Sequence, residues 1–287
     1  HTRKSLNAMM HFVKERYNIC ITHGNGPQVG AELLKNEITK DTIPSLPLGV
    51  LVANTQGAIG YMIQQTLQNA LQKKDVDREV VTFISQVIVD KNDPTIKNPT
   101  KFIGKSYSKE QAFKLSDEFN WSIKEQESGI WRRVVASPKP LYIFNGNSVK
   151  HLVDFGTIVI AGGGGGIPAY EDANNILHGL DAVIDKDMSA ALLGRVIKAE
   201  ELFIITDVDN VCLNYGSENE SKISKASTKQ LAKWIDENQF GQGTMLPKIL
   251  AAIYFLEHHG QKVVITSLNK IKEAIKGNAG TIITKEK

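Results

Sequence analysis

Apolar positions along the chain fall into two alternating kinds of run. Short, continuous stretches at residues 19–22, 80–89, 157–161, 202–206, 262–266 and 281–284 read as strands, several of them apolar throughout. That is the pattern of strands covered on both faces. Between them lie runs with helical spacing: Ile59, Ile63, Leu67 and Leu71; Ile249, Ile253 and Leu256; and a third starting near Met188 and continuing through Ala191 and Leu192. Leu6, Met9, Met10 and Val13 keep the same spacing at the start, so the sequence opens within a helical pattern at His1, with no methionine. Alternation of this kind predicts an α/β protein with a largely parallel central sheet. In such folds, ligands collect at the carboxyl ends of the strands.

By that rule the loop after each strand matters most. Residues 21–22 run into His23-Gly24-Asn25-Gly26-Pro27, residues 158–161 into the glycines 162–166, and residues 204–206 into Asp207-Val208-Asp209. Three strand ends are thus expected to bring glycine or aspartate to one edge of one sheet. Residues 91–139 break the pattern, being polar, turn-rich and poor in apolar periodicity, and are expected to form an inserted subdomain.

Composition narrows the classes. At 287 residues, 41% apolar and 23% charged, the chain has an ordinary globular balance. No run approaches the ~18 apolar residues of a membrane helix. A net charge of +3 argues against a dedicated nucleic-acid binder. The charge is uneven, however: residues 91–139 hold ten basic and six acidic groups, leaving −1 for the remainder. Two cysteines, Cys20 and Cys212, exclude a disulfide framework and a four-cysteine metal site. Cys20 lies in an apolar run and reads as an inert thiol, and so few cysteines suit a reducing compartment.

The candidate chemistry sits in the loops. Glycines 24, 26 and 30 follow a strand and open a helix with Pro27 in its first turn. Such a loop offers free backbone N–H groups and the positive end of a helix dipole to an anion, or simply makes a tight turn. The glycines 162–166 form a second anion-loop candidate. They are no dinucleotide fingerprint, because Ile167 stands where the last glycine is needed. Gly104-Lys105-Ser106 fails as a P-loop because Pro99 occupies the place of its first glycine. Asp185-Lys186-Asp187 follows an apolar run and enters a helix, either as a capping acidic cluster or as a lysine oriented for phosphoryl transfer. Asp207 and Asp209 add carboxylates after a strand, and Lys248 falls on the first turn of a helix. Glycine amides, lysines and aspartates are what phosphoryl transfer requires, since its loose transition state mainly needs positioning and charge stabilisation. No Ser/His/Asp elbow, zinc spacing or cysteine nucleophile competes.

In order, His23–Gly30 as His-Gly-Asn-Gly-Pro-Gln-Val-Gly, Asn98-Pro99-Thr100-Lys101, Trp131-Arg132-Arg133-Val134-Val135, Gly163-Gly164-Gly165-Gly166-Ile167-Pro168, Val183-Ile184-Asp185-Lys186-Asp187, Leu213-Asn214-Tyr215-Gly216, Met245-Leu246-Pro247-Lys248 and Ile265-Thr266-Ser267-Leu268 resemble the carbamate kinases of the amino acid kinase family. The resemblance runs across nearly the whole chain. It implies an α/β, three-layer αβα sandwich with an open, largely parallel central sheet and a small protruding subdomain at 91–139. A lobe at 1–181 would bind carbamate or carbamoyl phosphate, and a lobe at 182–287 the nucleotide. The implied reaction is reversible phosphoryl transfer between ATP and carbamate, run toward ATP in arginine fermentation by a cytoplasmic homodimer. Residue by residue, Lys101 and Lys186 would clamp the phosphoryl group, Lys248 would contact the nucleotide phosphates, and Asp185 would organise the lysines. Gly24, Asn25, Gly26, Gly163, Gly164 and Gly165 would cradle the small substrate. Asp207, Val211, Tyr215 and Met245 would line the nucleotide pocket. Mg2+ would arrive with ATP or ADP, held mainly by their phosphates and by no assigned protein ligand. The partners are those small molecules, with no nucleic acid and no membrane. One departure stands out: nothing in residues 1–17 matches the Gly-Gly-Asn ending the family's first strand, which is expected in a segment preceding this sequence. That departure motivates two further readings, an inactive nucleotide-binding regulatory protein of the same fold or a kinase for another small acid.

Overall fold

The structure, a computed structural model, describes residues 2–286. It opens with the helix Thr2–Lys14, as the apolar spacing predicts. The strands Cys20–Ile21, Ile158–Ile160 and Val80–Thr82 then form a parallel sheet, with the Ile158–Ile160 strand in the middle. A second sheet orders Leu177–Gly179, Ile167–Glu171, Gln86–Val89 and Pro140–Ile143, the inner pair being parallel. The apolar run 80–89 is therefore two strands in two sheets. The chain leaves the first at Phe83, whose N–H still bonds Ile160, and Ser85 turns it into the second.

The third sheet orders Glu201–Thr206, Lys262–Ser267, Thr281–Thr284 and Lys225–Ser227. Its first two strands are parallel over six residue pairs, and Thr281–Thr284 runs antiparallel to Lys262–Ser267. Glu201–Thr206 thus takes its hydrogen bonds from Lys262–Ser267, so the three loop-bearing strands are divided between sheets. The molecule is α/β with parallel strands at its centre and helices against them.

Residues 91–139 are more ordered than their sequence pattern suggests. Lys101–Tyr107, Ile130–Val135 and Ser122–Glu127 form an antiparallel sheet, backed by the helix Lys109–Phe119. That helix starts in a reciprocal capping box between Ser108 and Gln111, which satisfies two otherwise orphaned donors. The unit shares a core with the main body. Ile103 and Val135 pack with Val29 and Leu33 of the helix Gly26–Thr39 and with Leu48, Leu51 and Val52 of the helix Leu48–Gln72.

In the C-terminal half the core gathers around Phe255, which is 0% exposed. Its ring fills the space where side chains would stand on Gly194 and Gly260: a Cβ there would come within 2.7 Å and 2.1 Å of ring carbons. Gly194 thereby lets the helices Lys186–Val196 and Met245–His258 close on each other, and Gly260, just past the second helix, leaves the ring its place.

Candidate active site

The loops after Cys20–Ile21, Ile158–Ile160 and Glu201–Thr206 meet at a cavity of about 660 Å³. Although the strands lie in different sheets, their carboxyl ends serve one cleft. Gly24, Asn25, Gly26 and Gly164 reach its wall, as do Lys101, Asp185, Lys186, Asp207, Tyr215, Met245 and Lys248. Gly163 and Gly165 stand behind it, buried among the loops, and Val211 is 0% exposed within the C-terminal core, where its neighbour Cys212 faces the cavity instead.

Side chains hold both glycine loops, and in the first of them they leave the helix-start N–H groups free. Pro27 occupies the first turn of the helix Gly26–Thr39, and Asn25 stands at its cap position without capping it. The Asn25 amide instead donates to Thr55 Oγ1 at 2.9 Å. The first-turn N–H groups therefore have no side-chain acceptor, the state in which a helix end attracts an anion. The facing loop is fitted against this one: Gly164 N–H donates to His23 O at 2.7 Å. A Cβ on Gly163 would lie 2.4 Å from His23 Nε2, and one on Gly164 2.2 Å from Asn25 Nδ2. Gly164 also has φ of 68°, in the left-handed region that glycine tolerates.

Asp-Lys-Asp divides its duties. Asp185 is the N-cap of the helix Lys186–Val196, its Oδ1 accepting from Asp187 N at 3.0 Å and Met188 N at 3.1 Å. Its other oxygen lies 3.9 Å from Lys101 Nζ, which enters from the inserted unit. Lys186 and Lys248 are paired with Asp187: Nζ of Lys186 is 2.8 Å from one oxygen and Nζ of Lys248 is 3.0 Å from the other. Asp187 is 8% exposed. The sequence reading gives the organising role to Asp185, which of the three lysines reaches only Lys101, and does not single out Asp187. The helix start is the signal for the division, because the residue just before a helix spends a carboxylate oxygen on backbone N–H groups.

Neighbouring groups are tuned by burial. His23 is held below the ordinary histidine range by desolvation, partly offset by its hydrogen bond to Gly24 O. The accepting atom is a carbonyl, so Nδ1 carries the proton. Burial pushes the Cys20 thiol up to about 12, which makes it unreactive. The Cys212 thiol is also raised, by desolvation and by Glu220. Among the described residues no group of three or more His, Cys, Asp or Glu side chains is placed to hold a metal, and no helix is long and apolar enough to cross a membrane.

Ammonium groups fixed by carboxylates, beside uncapped backbone amides, suit a site that receives a polyanion and stabilises charge moving across it. Comparison with known proteins agrees. The model of the amino acid kinase family matches residues 2–267. The carbamate kinase of Pyrococcus horikoshii is 43% identical over 286 residues, spanning 99% of this chain and 91% of the relative. That of Clostridium perfringens is 42% identical over 287 residues, with coverage of 99% and 91%. The solved structure of carbamate kinase from Giardia lamblia bound to AMP-PNP superposes with a TM-score of 0.93 at 36% identity, covering 99% of this chain and 90% of that one. By its site and by these likenesses, the chain belongs to the amino acid kinase family, among its carbamate kinases.

Proposed function

We propose that the cavity performs reversible phosphoryl transfer between ATP and carbamate, working toward ATP from carbamoyl phosphate in arginine fermentation. The observation that carries this reading is the arrangement around Asp187, which sets Lys186 and Lys248 side by side in the cavity that Lys101 and the glycine loops also line. In the ATP-forming direction, a β-phosphate oxygen of ADP attacks phosphorus, the P–O bond to the carbamoyl group breaks, and carbamate leaves with the bonding pair. Lys101 and Lys186 neutralise the transferring group, and Lys248 neutralises the nucleotide phosphates. Gly24–Gly26 donate N–H groups to the small acid and Gly164 forms the facing wall, with Gly163 and Gly165 supporting them from behind. Asp207, Tyr215 and Met245 form the nucleotide wall, with Val211 packed beneath it.

Mg2+ fits this site as the companion of the nucleotide, because Asp185 and Asp187 are already engaged by backbone N–H groups and ammonium groups. Bound with the nucleotide, it would offset part of the phosphate charge. The lobe division near residue 181, a homodimeric assembly and a cytoplasmic location belong to the same proposal.

A coupled assay with ADP and carbamoyl phosphate tests it, with turnover expected. Nucleotide binding without turnover would favour the regulatory reading. Lys186→Ala should lower kcat about 100- to 1000-fold, the cost of removing one preorganised donor. A change confined to KM would refute the role given to Lys186.

A further inference from the structure

Behind the glycine loops, out of the cavity, lies a buried polar junction. The helix Leu48–Gln72 contains no charged residue in its 25 positions, and from its inner face Thr55 and Gln56 reach the loops, 3% and 1% exposed. Gln56 is bonded at both ends of its amide. Oε1 accepts from Ser85 N at 2.8 Å, while Nε2 donates to Gly163 O at 2.8 Å and faces Ser85 O at 3.4 Å. Ser85, itself 1% exposed, completes the circuit: its Oγ accepts from Gly162 N at 2.9 Å, and its carbonyl accepts from Ile167 N at 2.8 Å. One position earlier on the helix, Thr55 holds Asn25 of the opposite loop.

We infer that Gln56 is a positioning residue for the small-acid site, fixing the 162–166 loop so that its backbone presents to the cavity the face that Gly164 supplies. It touches no reacting atom and acts through the Gly163 carbonyl. Adjacent positions of one rigid helix thereby set both halves of the cradle, Thr55 one loop and Gln56 the other. A loop so rich in glycine has many conformations available, and a buried amide bonded at both its oxygen and its nitrogen selects one. A preorganised anion site depends on such supporting groups.

The inference rests on reading the cavity as a carbamoyl phosphate site, and its test separates the two. Gln56→Glu is nearly isosteric but turns the donor facing two carbonyls into an oxygen. Ionised, it repels both and puts a negative charge behind an anion site. Protonated, it can donate to Gly163 again. Burial and the two carbonyl dipoles favour the protonated form, which raises its titration above the ordinary carboxyl range. The facing groups from packed elements are Thr55, Ser85, Asn25 and Gly163. The titratable ones beside them are His23, whose ring lies on Gly163, and Lys186, whose Cδ is 3.5 Å from where a Cβ on Gly24 would stand.

The measurement is KM for carbamoyl phosphate and KM for ADP in wild type and Gln56→Glu at about pH 8 and about pH 6, the wild type correcting for the titration of His23 and of the substrate. The expected result at the higher pH is a rise of about tenfold in KM for carbamoyl phosphate, the scale found when supporting groups of a site are changed. That rise should shrink at the lower pH, with KM for ADP unchanged throughout. An unchanged KM for carbamoyl phosphate, equal impairment at both pH values, or parallel loss of ADP binding overturns the inference. Should Gln56→Glu not fold, Ser85→Ala, which leaves Gly162 N without its acceptor, must raise KM for carbamoyl phosphate selectively or the inference falls. A wild-type chain without turnover refutes the carbamoyl phosphate reading itself.

Discussion

A carboxylate shared by two ammonium groups does more than a simple ion pair, because its removal leaves two like charges facing each other. Asp187 is in that position between Lys186 and Lys248. Asp187→Asn keeps the shape and removes the charge. It should lower kcat with carbamoyl phosphate about 10- to 100-fold as both lysines lose their alignment, measured beside a melting curve that confirms folding. His23 gives a second residue-scale prediction. Its imidazole is neutral in the fold and held below the ordinary value near 6.5 by burial. On acidification the unfolded chain therefore takes up the proton first. The stability contribution of His23 is whole above that ordinary value and declines as pH falls toward the lowered folded-state value. Denaturant titrations at descending pH should show His23→Gln losing less stability than wild type. Equal losses would mean that other groups govern the decline. The Asp185–Asp187 ambiguity shows what was legible at this scale. The motif set Asp185, Lys186 and Asp187 side by side, but only the helix start at Lys186 decides that Asp185 caps while Asp187 pairs with Lys186 and Lys248.

Among elements, the periodicities located helices and buried strands well, since continuous apolar runs and steps of four are set by burial itself. They failed where the determinant was tertiary. Nothing in residues 80–89 announces two strands, because Phe83 and Ile84 continue the apolar run; the break comes from Ser85 being claimed by Gln56. The elements inside residues 91–139, read only as an inserted subdomain, were illegible for a related reason: their sheet is half-exposed, so alternation is weak, and their order comes from caps and from Ile103 and Val135 docking on other helices. The packing around Phe255 gives an element-scale prediction. Phe255→Ala empties the space that Gly194 and Gly260 leave for the ring and should cost about 3–5 kcal/mol in urea denaturation. A loss below about 1 kcal/mol would mean that the two helices collapse onto the gap.

For the whole molecule, the uneven charge becomes a matter of geometry. The surplus positive charge belongs to the unit that delivers Lys101, and that unit is fastened to the body by a small apolar core and by pairs such as Arg133 with Asp181 and Lys105 with Glu37. Each of these pairs has one partner open to solvent, which screens it, so the apolar contact sets how firmly Lys101 is held. Ile103→Ala should loosen residues 101–135 ahead of the rest. Amide exchange would then accelerate there while the Phe255 core keeps its protection. Uniform acceleration would show instead that the unit and the body open together.

The run of glycines at 163–166 would pass for a linker by composition. Each of the four lacks room for a methyl group, and each for a different neighbour: His23, Asn25, the Ile184 carbonyl and Val87. No single compensating change can relieve all four. In a saturation library scored for growth or activity, this stretch should therefore be the least permissive in the chain, refusing alanine at every step. An evolutionary path that shortens or re-registers the loop would have to alter three separate segments at once: the loop of His23 and Asn25, the approach to Asp185, and the strand Gln86–Val89.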